Sequence, residues 1–244
     1  LGLFDITWLN YGRARLAGPL LDPNAYGGLL LVAFILQQAS GGSPWAAFVD
    51  VSLILGLILT FSRSAWVGLA LAVLALLVLK PKQGLKVVLL VLAAVILGLV
   101  VVNWQSMLDM SLRANQVTAR INIAENALAE FYKSPIFGIG LGTYHSKHGV
   151  IIHNTLLWIL VEFGLIGLTI FTSFIGWFIL AAVSRLRSAN TQHRPLVAVT
   201  LVAFVAVLGL SVGIEALYQR YWWFIMAVIS ALWSLPGGTE PVNR

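Results

Sequence analysis

The sequence predicts an all-α fold: a polytopic transmembrane helical bundle of six to seven spans, with one long polar loop containing an amphipathic helix. Three observations predict it. Of 244 residues, 59% are apolar and only 10% are charged, against about 45–50% and about 25% in an ordinary soluble domain. Mean hydropathy is +0.92. The apolar residues gather into runs that approach the ~20 residues a bilayer crossing needs. This composition excludes a soluble globular domain, a disordered chain and a nucleic-acid-binding domain. With no cysteine, the chain has no disulfide, no thiolate metal site and no cysteine nucleophile. The net charge of +6 belongs to loops between spans, where Lys and Arg report orientation and contact with membrane lipids.

The chain opens at Leu1 on a polar stretch without a signal-peptide pattern. The expectation is one transmembrane domain over residues 1–244 that lacks its native N-terminus. Candidate spans are Gly27–Ala39, which is short, then Trp45–Phe61, Ala65–Leu79, Leu85–Val102, Gly164–Val183, Pro195–Ile214 and Tyr221–Leu235. Two short loops are dense in positive charge: Lys80, Lys82 and Lys86 in one, Arg185, Arg187 and Arg194 in the other. Such loops mark the cytoplasmic side. Alternation then places residues 1–26, the turn at 62–64, the loop at 103–153 and the turn at 215–220 outside.

The 103–153 loop is long enough to carry structure of its own. Val117, Ile121, Ala124, Leu128 and Phe131 recur at three- and four-residue spacing, one face of an amphipathic helix. It is expected to lie along the membrane surface and to end at Ser134-Pro135. A glycine-rich turn follows at Phe137–Tyr144. The apolar run from Val150 to Val183 is too long for one crossing. Gly164 and Gly167 fall where it can break, so residues 153–162 read as a short helix dipping into the outer leaflet.

Ionisable residues at a membrane edge are costly and are functional candidates by default. Topology accounts for the six basic residues of the inner loops. It gives no reason for Arg13, Arg15, Arg63, Arg113, Arg120, Lys133, Lys147 and Arg220 with His145, His148 and His153 outside; an acidic ligand does. Arg63 is wedged in a tight turn between two spans. It is either a snorkelling side chain or a guanidinium at the mouth of a cavity, whose fork suits phosphate. Arg120 is either a solvated residue of the surface helix or a second phosphate contact, and Arg113 most simply touches lipid headgroups. His153-Asn154 opens an apolar helix. Asn is a good N-cap, and a histidine there can be a general base toward a sugar hydroxyl. His145 and His148 lack a carboxylate partner in sequence and make a poor metal site with it. Gly138-Ile139-Gly140-Leu141-Gly142 follows no strand, so its glycines read as positive-φ turns and not as a nucleotide loop. Glu162 is read as orienting a polar partner or bonding an arginine, and Glu215 with Arg220 as an end-of-helix ion pair.

In order along the chain, these residues resemble the O-antigen ligase / O-antigen polymerase family. The likeness is carried by Arg15-Leu16-Ala17-Gly18 with Asp22-Pro23-Asn24, and by Thr60-Phe61-Ser62-Arg63-Ser64-Ala65-Trp66. It continues in Arg120 with its amphipathic helix and in Pro135, Phe137, Gly138, Gly140 and Gly142. His153-Asn154 with Leu157, then Glu162 with Gly164-Leu165-Ile166-Gly167-Leu168, completes it. The resemblance covers about residues 13–183. It implies a multi-pass glycosyltransferase of the bacterial inner membrane, active at the periplasmic face, with residues 103–153 as a periplasmic loop. The implied donor is a glycan on undecaprenyl pyrophosphate, and the acceptor a hydroxyl of lipid A core or of a growing glycan chain. No metal and no cofactor are implied. Carried over by residue, His153 is the base, Arg63 and Arg120 hold the pyrophosphate, and Arg15, Asn154, Glu162 and Arg113 support them.

The transfer is physically coherent. Breaking a sugar–pyrophosphate bond puts negative charge on the leaving group, and fixed guanidiniums stabilise it as it develops. The chain has nine acids and no Asp-x-Asp, where a metal-dependent enzyme would place carboxylate ligands. Two alternatives remain open at this stage. One is a polymerase, or a transferase to Ser or Thr of proteins. The other is an inorganic-carbon transporter, a label that some relatives carry. A transporter calls for polar residues at the bilayer midplane, whereas here the ionisable residues lie at one membrane face, Asp50 excepted.

Overall fold

A computed structural model describes residues 15–39, 44–101, 114–188 and 193–234, side chains excepted at 93–94, 96–101 and 114–117. Arg13 and Arg113 lie outside the described residues, as does the side chain of Val117. Among the described residues the fold is helical. Its helices are α1 (Pro23–Gln37), α2 (Ala46–Leu59), α3 (Arg63–Leu79), α4 (Pro81–Val101), α5 (Ala114–Phe131), α6 (Thr143–His148), α7 (Thr155–Ser188), α8 (Arg194–Leu210) and α9 (Arg220–Trp233). Single 3-10 turns occur at Gly18–Leu20 and Ala216–Tyr218.

Each candidate span falls on a helix, with ends set by capping. α1 starts at Pro23 rather than Gly27 because the Asp22 carboxylate accepts from Asn24 N at 2.8 Å and Pro23 occupies the first turn. α3 starts at Arg63, two residues before the expected Ala65, because Ser62 Oγ accepts from Ala65 N at 3.4 Å. α8 stops at Leu210 and not at Ile214, because the next residues bond to another element, described below. α7, at 34 residues, is the described helix long and apolar enough to cross a membrane unaided. α1, α2, α3 and α8 are apolar but shorter.

α3 and α8 form the centre of the bundle and approach closely. A Cβ on Gly68 would lie 2.6 Å from the Ala206 carbonyl oxygen, and one on Gly209 3.1 Å from Gly68 Cα. Small residues at such crossings let backbones touch, which replaces the hydrophobic driving force that lipid does not supply. Leu31, Phe34, Leu57, Leu69, Phe204 and Trp222 fill the core around them. Phe48, Leu74, Val78, Ile170 and Leu180 point outward and are exposed, as lipid-facing residues are. Asp50 is buried, but not alone. Lys86 Nζ pairs with it at 2.9 Å and Gln38 Nε2 donates to it at 2.7 Å, so the acid ties α1, α2 and α4 together.

The expected break in the 150–183 run is present at Gly164, where φ is 68° and ψ is −167°. Only glycine adopts this region readily. The break frees backbone groups that apolar surroundings cannot satisfy, and the glycine-rich turn satisfies them. Leu165 N donates to Pro135 O at 2.9 Å and Ile166 N to Ile136 O at 3.2 Å, while Ile139 N and Gly140 N donate to Val161 O and Glu162 O at 3.0 and 2.9 Å. The approach leaves no room for side chains: a Cβ on Gly164 would sit 2.3 Å from Ile136 O, and one on Gly138 2.4 Å from Glu162 O.

A second, smaller core of Ala127, Tyr144, Ile152 and Val161, with Ile123 and Phe131 against it, docks α5 onto α7. Of the expected stripe, Ile121 and Leu128 are exposed, while Phe131 packs inward. The protein-packed face runs through Ile123, Ala127 and Phe131, a second apolar face that the stripe did not include in full.

Gly164→Ala should cost well over the ~1–3 kcal/mol of backbone strain alone, since the new methyl group also meets a carbonyl. Thermal unfolding in detergent should show a melting temperature lowered by several degrees. A wild-type melting curve would refute the account of the break.

Candidate active site

The first element of the site is the turn that launches α3. Phe61 holds φ at 47°, an uncommon and costly conformation for a non-glycine residue. Arg15 stabilises it from outside. Its Nε donates to Thr60 O at 2.8 Å, and its Nη2 to Phe61 O and Asn24 Oδ1, each at 3.2 Å. These are carbonyls at the C-terminal end of α2, where a cation is favourable. Arg15 is therefore a brace for the turn that precedes Arg63. Arg63 follows as the first residue of α3, half-buried, at the positive end of that helix's dipole.

The second element is the start of α7. Asn154 Oδ1 accepts from Leu157 N at 2.9 Å, the expected N-cap, and Asn154 Nδ2 donates to Val212 O at 3.1 Å. Thr155 N donates to Ser211 O at 3.0 Å. Thr155 Oγ1 donates to Ile214 O at 2.8 Å and accepts from Ala216 N at 2.9 Å. The segment after α8 is thereby laid against the start of α7, and Glu215 reaches His153. The Glu215 carboxylate pairs with His153 Nδ1. This corrects the expected Glu215–Arg220 pair: Arg220 is exposed, and Glu215 was missed as the partner of His153. Five residues separate the glutamate and arginine in sequence, whereas the histidine is distant in sequence, and only the Thr155 hydrogen bonds bring it near. With Nδ1 engaged, Nε2 has no protein partner among the described residues.

Arg120 completes the site. On α5 it lines a cleft of about 180 Å³ with Ile152, His153, Asn154, Leu157 and Val212. A Cβ on Gly213 would lie 3.6 Å from Arg120 Nη1 and 2.8 Å from Ser64 Cβ. The guanidinium thus sits beside the first turn of α3. Partial burial lowers its pKa, the Arg63 charge lowers it further, and Glu215 and Asp22 oppose both effects. Neither arginine forms a salt bridge among the described residues. Arg63, Arg120 and His153 therefore gather in one region, with Glu215 beside them. The two guanidiniums repel each other, and the nearby carboxylates of Glu215 and Asp22 offset that repulsion without forming a salt bridge to either.

Other expected participants have different partners. Glu162 is buried, and its carboxylate accepts from Gly142 N at 2.8 Å, Tyr144 N at 3.3 Å and Trp158 Nε1 at 2.8 Å. It bonds no arginine; it anchors the glycine-rich turn. Lys133, Lys147 and His148, grouped by sequence with the outer cations, surround Glu130 at 2.9, 2.7 and 3.2 Å. They belong to a separate cluster that ties the loop to α5. The signal was Glu130 itself, three residues before Lys133. Among the described residues no three His, Asp or Glu side chains converge as metal ligands.

The family model described as O-antigen ligase matches residues 48–172, just over half of the chain. The matched stretch includes Arg63, Arg120 and His153, while Glu215 lies beyond it. No curated protein matches the chain.

The Glu130 cluster has a pH signature. Hydrogen bonds from Lys147 and then Lys133 lower the Glu130 carboxyl from 4.5 to about 2. A depressed carboxyl pKa stabilises the folded form fully above the unfolded value, and the contribution is lost as pH falls from about 4.5 to about 2. Hydrogen-exchange protection factors of residues 143–148 should be flat from pH 7 to 5 and decline below that. In Glu130→Gln they should be lower at neutral pH and lose this decline. A variant that kept the wild-type profile would refute the assignment.

Proposed function

The chain belongs to the O-antigen ligase family, a group of membrane glycosyltransferases, and we propose that it moves a glycan from undecaprenyl pyrophosphate to an acceptor hydroxyl at the periplasmic face of the inner membrane. The acceptor in this reading is lipid A core. The observation that carries the reading is one cleft lined by Arg120 and by His153, whose imidazole pairs with Glu215, with the Arg63 charge close enough to act on Arg120.

In this mechanism His153 Nε2 takes the proton of the acceptor hydroxyl. The hydroxyl oxygen forms the new bond to the anomeric carbon of the donor sugar. The bond from that carbon to the pyrophosphate oxygen breaks, and its electron pair leaves on the diphosphate. Arg63, Arg120 and the N-terminal end of α3 stabilise the charge as it develops. Glu215 holds the imidazole through Nδ1, which fixes Nε2 as the proton acceptor and stabilises the imidazolium that forms. The products are the glycosylated acceptor and undecaprenyl pyrophosphate, with one proton left on His153.

The reading needs no metal ion. The guanidiniums supply the positive charge that a divalent ion would bring. Nearby carboxylates are already committed: Glu215 to His153, Glu162 to backbone N–H groups and an indole, and Asp22 to the α1 cap. The basic inner loops and the outward-facing apolar residues of the bundle support the multi-pass topology with this cleft on the opposite face.

His153→Ala should lower transfer by about 10²–10⁴-fold, the usual contribution of a general base, while insertion and folding stay intact. Glu215→Gln should lose a smaller part of it and shift the pH profile. The wild-type rate should persist in excess EDTA. A His153→Ala variant that transfers at the wild-type rate would remove the base from the scheme.

Arg63→Lys should lower kcat/KM for the lipid-linked donor by about tenfold or more, because a point charge cannot reproduce a planar fork. Its melting temperature should match wild type, since Arg63 makes no salt bridge within the described fold. Unchanged donor kinetics would mean that Arg63 is an interfacial side chain only.

A further inference from the structure

A second cavity lies beside the cleft, and it differs in chemistry. It encloses about 150 Å³ and is lined by His145, Ile151, Ile152, Trp158, Glu162 and Tyr218 among others, with no lysine or arginine in its wall. Ile152 lines both cavities, so the 150–153 segment is their partition. One side presents the guanidinium of Arg120; the other presents aromatic rings. We propose that this second cavity is a subsite for a neutral sugar ring of the acceptor. The proposal rests on the transferase reading above and names where that substrate is held.

The rings are set for the task. Trp158 is fixed in place, since its Nε1 donates to Glu162 Oε2 at 2.8 Å and Phe163 packs edge-on at 6.1 Å. Tyr218 stands 5.6 Å from it, tilted by 41°, and is 67% exposed. An exposed aromatic beside a fixed indole forms a two-walled platform. Such rings pack on the apolar C–H face of a pyranose and leave its hydroxyls to polar neighbours. The His145 imidazole and the main chain of the 150–152 segment supply those neighbours. The volume is well below a drug-sized site and suits one ring. A diphosphate would find no cation here and a carboxylate in the wall, so the charged end of the donor is excluded.

Placement ties the platform to the reacting groups. Tyr218 is three residues after Glu215, and Trp158 is five after His153. The two chain segments that build the base also build the platform. His153 lines the cleft across the partition, and Ile152, the residue before it, lines both cavities, so a sugar seated on the platform is separated from the imidazole only by that partition, while the donor's diphosphate belongs on the Arg120 side. That arrangement assigns the subsite to the acceptor.

The test uses the full chain in detergent. Tyr218→Ala should raise the acceptor KM by up to about tenfold, the upper range of one aromatic contact, with donor KM and kcat near wild type. Tyr218→Phe should restore the acceptor KM, because the ring and not the hydroxyl makes the contact. Independently of activity, saturation-transfer NMR with lactose, a neutral probe, should give a signal with wild type and with His153→Ala that weakens in Tyr218→Ala. An unchanged acceptor KM in Tyr218→Ala, a rise confined to the donor KM, or no saturation transfer to lactose from wild type would each overturn the subsite. Lactose binding retained in a fully active His153→Ala would sink the base assignment and leave the subsite standing.

Discussion

Thr155 joins two stretches of chain that lie about sixty residues apart. Its hydroxyl uses a donor and an acceptor capacity at once, on Ile214 O and Ala216 N, and its N–H holds Ser211 O. The side chain is completely buried, so each bond left unmade would cost about 1–3 kcal/mol. The residues between those anchors have little freedom. Gly213 is pressed between Arg120 and Ser64, and Glu215 faces His153. The early end of α8 accompanies the same bonds: Ser211, the residue that follows the helix, gives its carbonyl to Thr155 N, and the chain beyond it brings Ile214 O and Ala216 N to the Thr155 hydroxyl. The helix gives up length, and the site gains a positioned carboxylate.

The positive charge outside the bundle divides into two populations with different uses. Around Glu130, Lys133, Lys147 and the His148 ring share one carboxylate, and the last two hold α6 to α5. Around the cleft, two guanidiniums have no such partner and raise each other's electrostatic cost. The first arrangement is complete without a ligand. The second is not, and that contrast separates a structural cluster from a binding site better than charge density does.

The fold was largely legible in the sequence because burial in lipid imposes apolar runs, and every predicted run holds a helix. Gly164 was legible as a break because a 34-residue run cannot be one ordinary crossing. Helix ends were less legible, since Asp22 and Ser62 act several residues before the apolar runs at Gly27 and Ala65 begin. The protein-facing side of α5, through Ile123 and Ala127, was not legible, because period marks an apolar stripe without saying what covers the rest of the helix. Within the site, Arg63, Arg120 and His153 stood out as ionisable residues at a membrane edge. Glu215 did not: its partner is chosen by backbone hydrogen bonds to Thr155, and no local pattern encodes them. Arg15 and Glu162 were legible as polar residues with a purpose, but their purposes are backbone carbonyls and backbone amides, which a sequence does not display.

The two arginines of the cleft come from different packing units. Arg63 begins α3, which is locked into the main core through Leu69, Ala72 and Leu76. Arg120 belongs to α5, which docks through the small core around Ala127, Tyr144 and Ile152. Their mutual repulsion is therefore held by two separate sets of apolar contacts. The cost of keeping them close is carried by the folded protein before any substrate arrives. In the proposed reaction a leaving diphosphate gains negative charge as the glycosidic bond breaks, and under that reading the same pair interacts more strongly with the transition state than with the bound donor. Interactions of that kind raise the rate of the chemical step rather than merely tightening the ground-state complex. Packing energy remote from the reacting atoms is in this way converted into electrostatic preorganisation at the cleft.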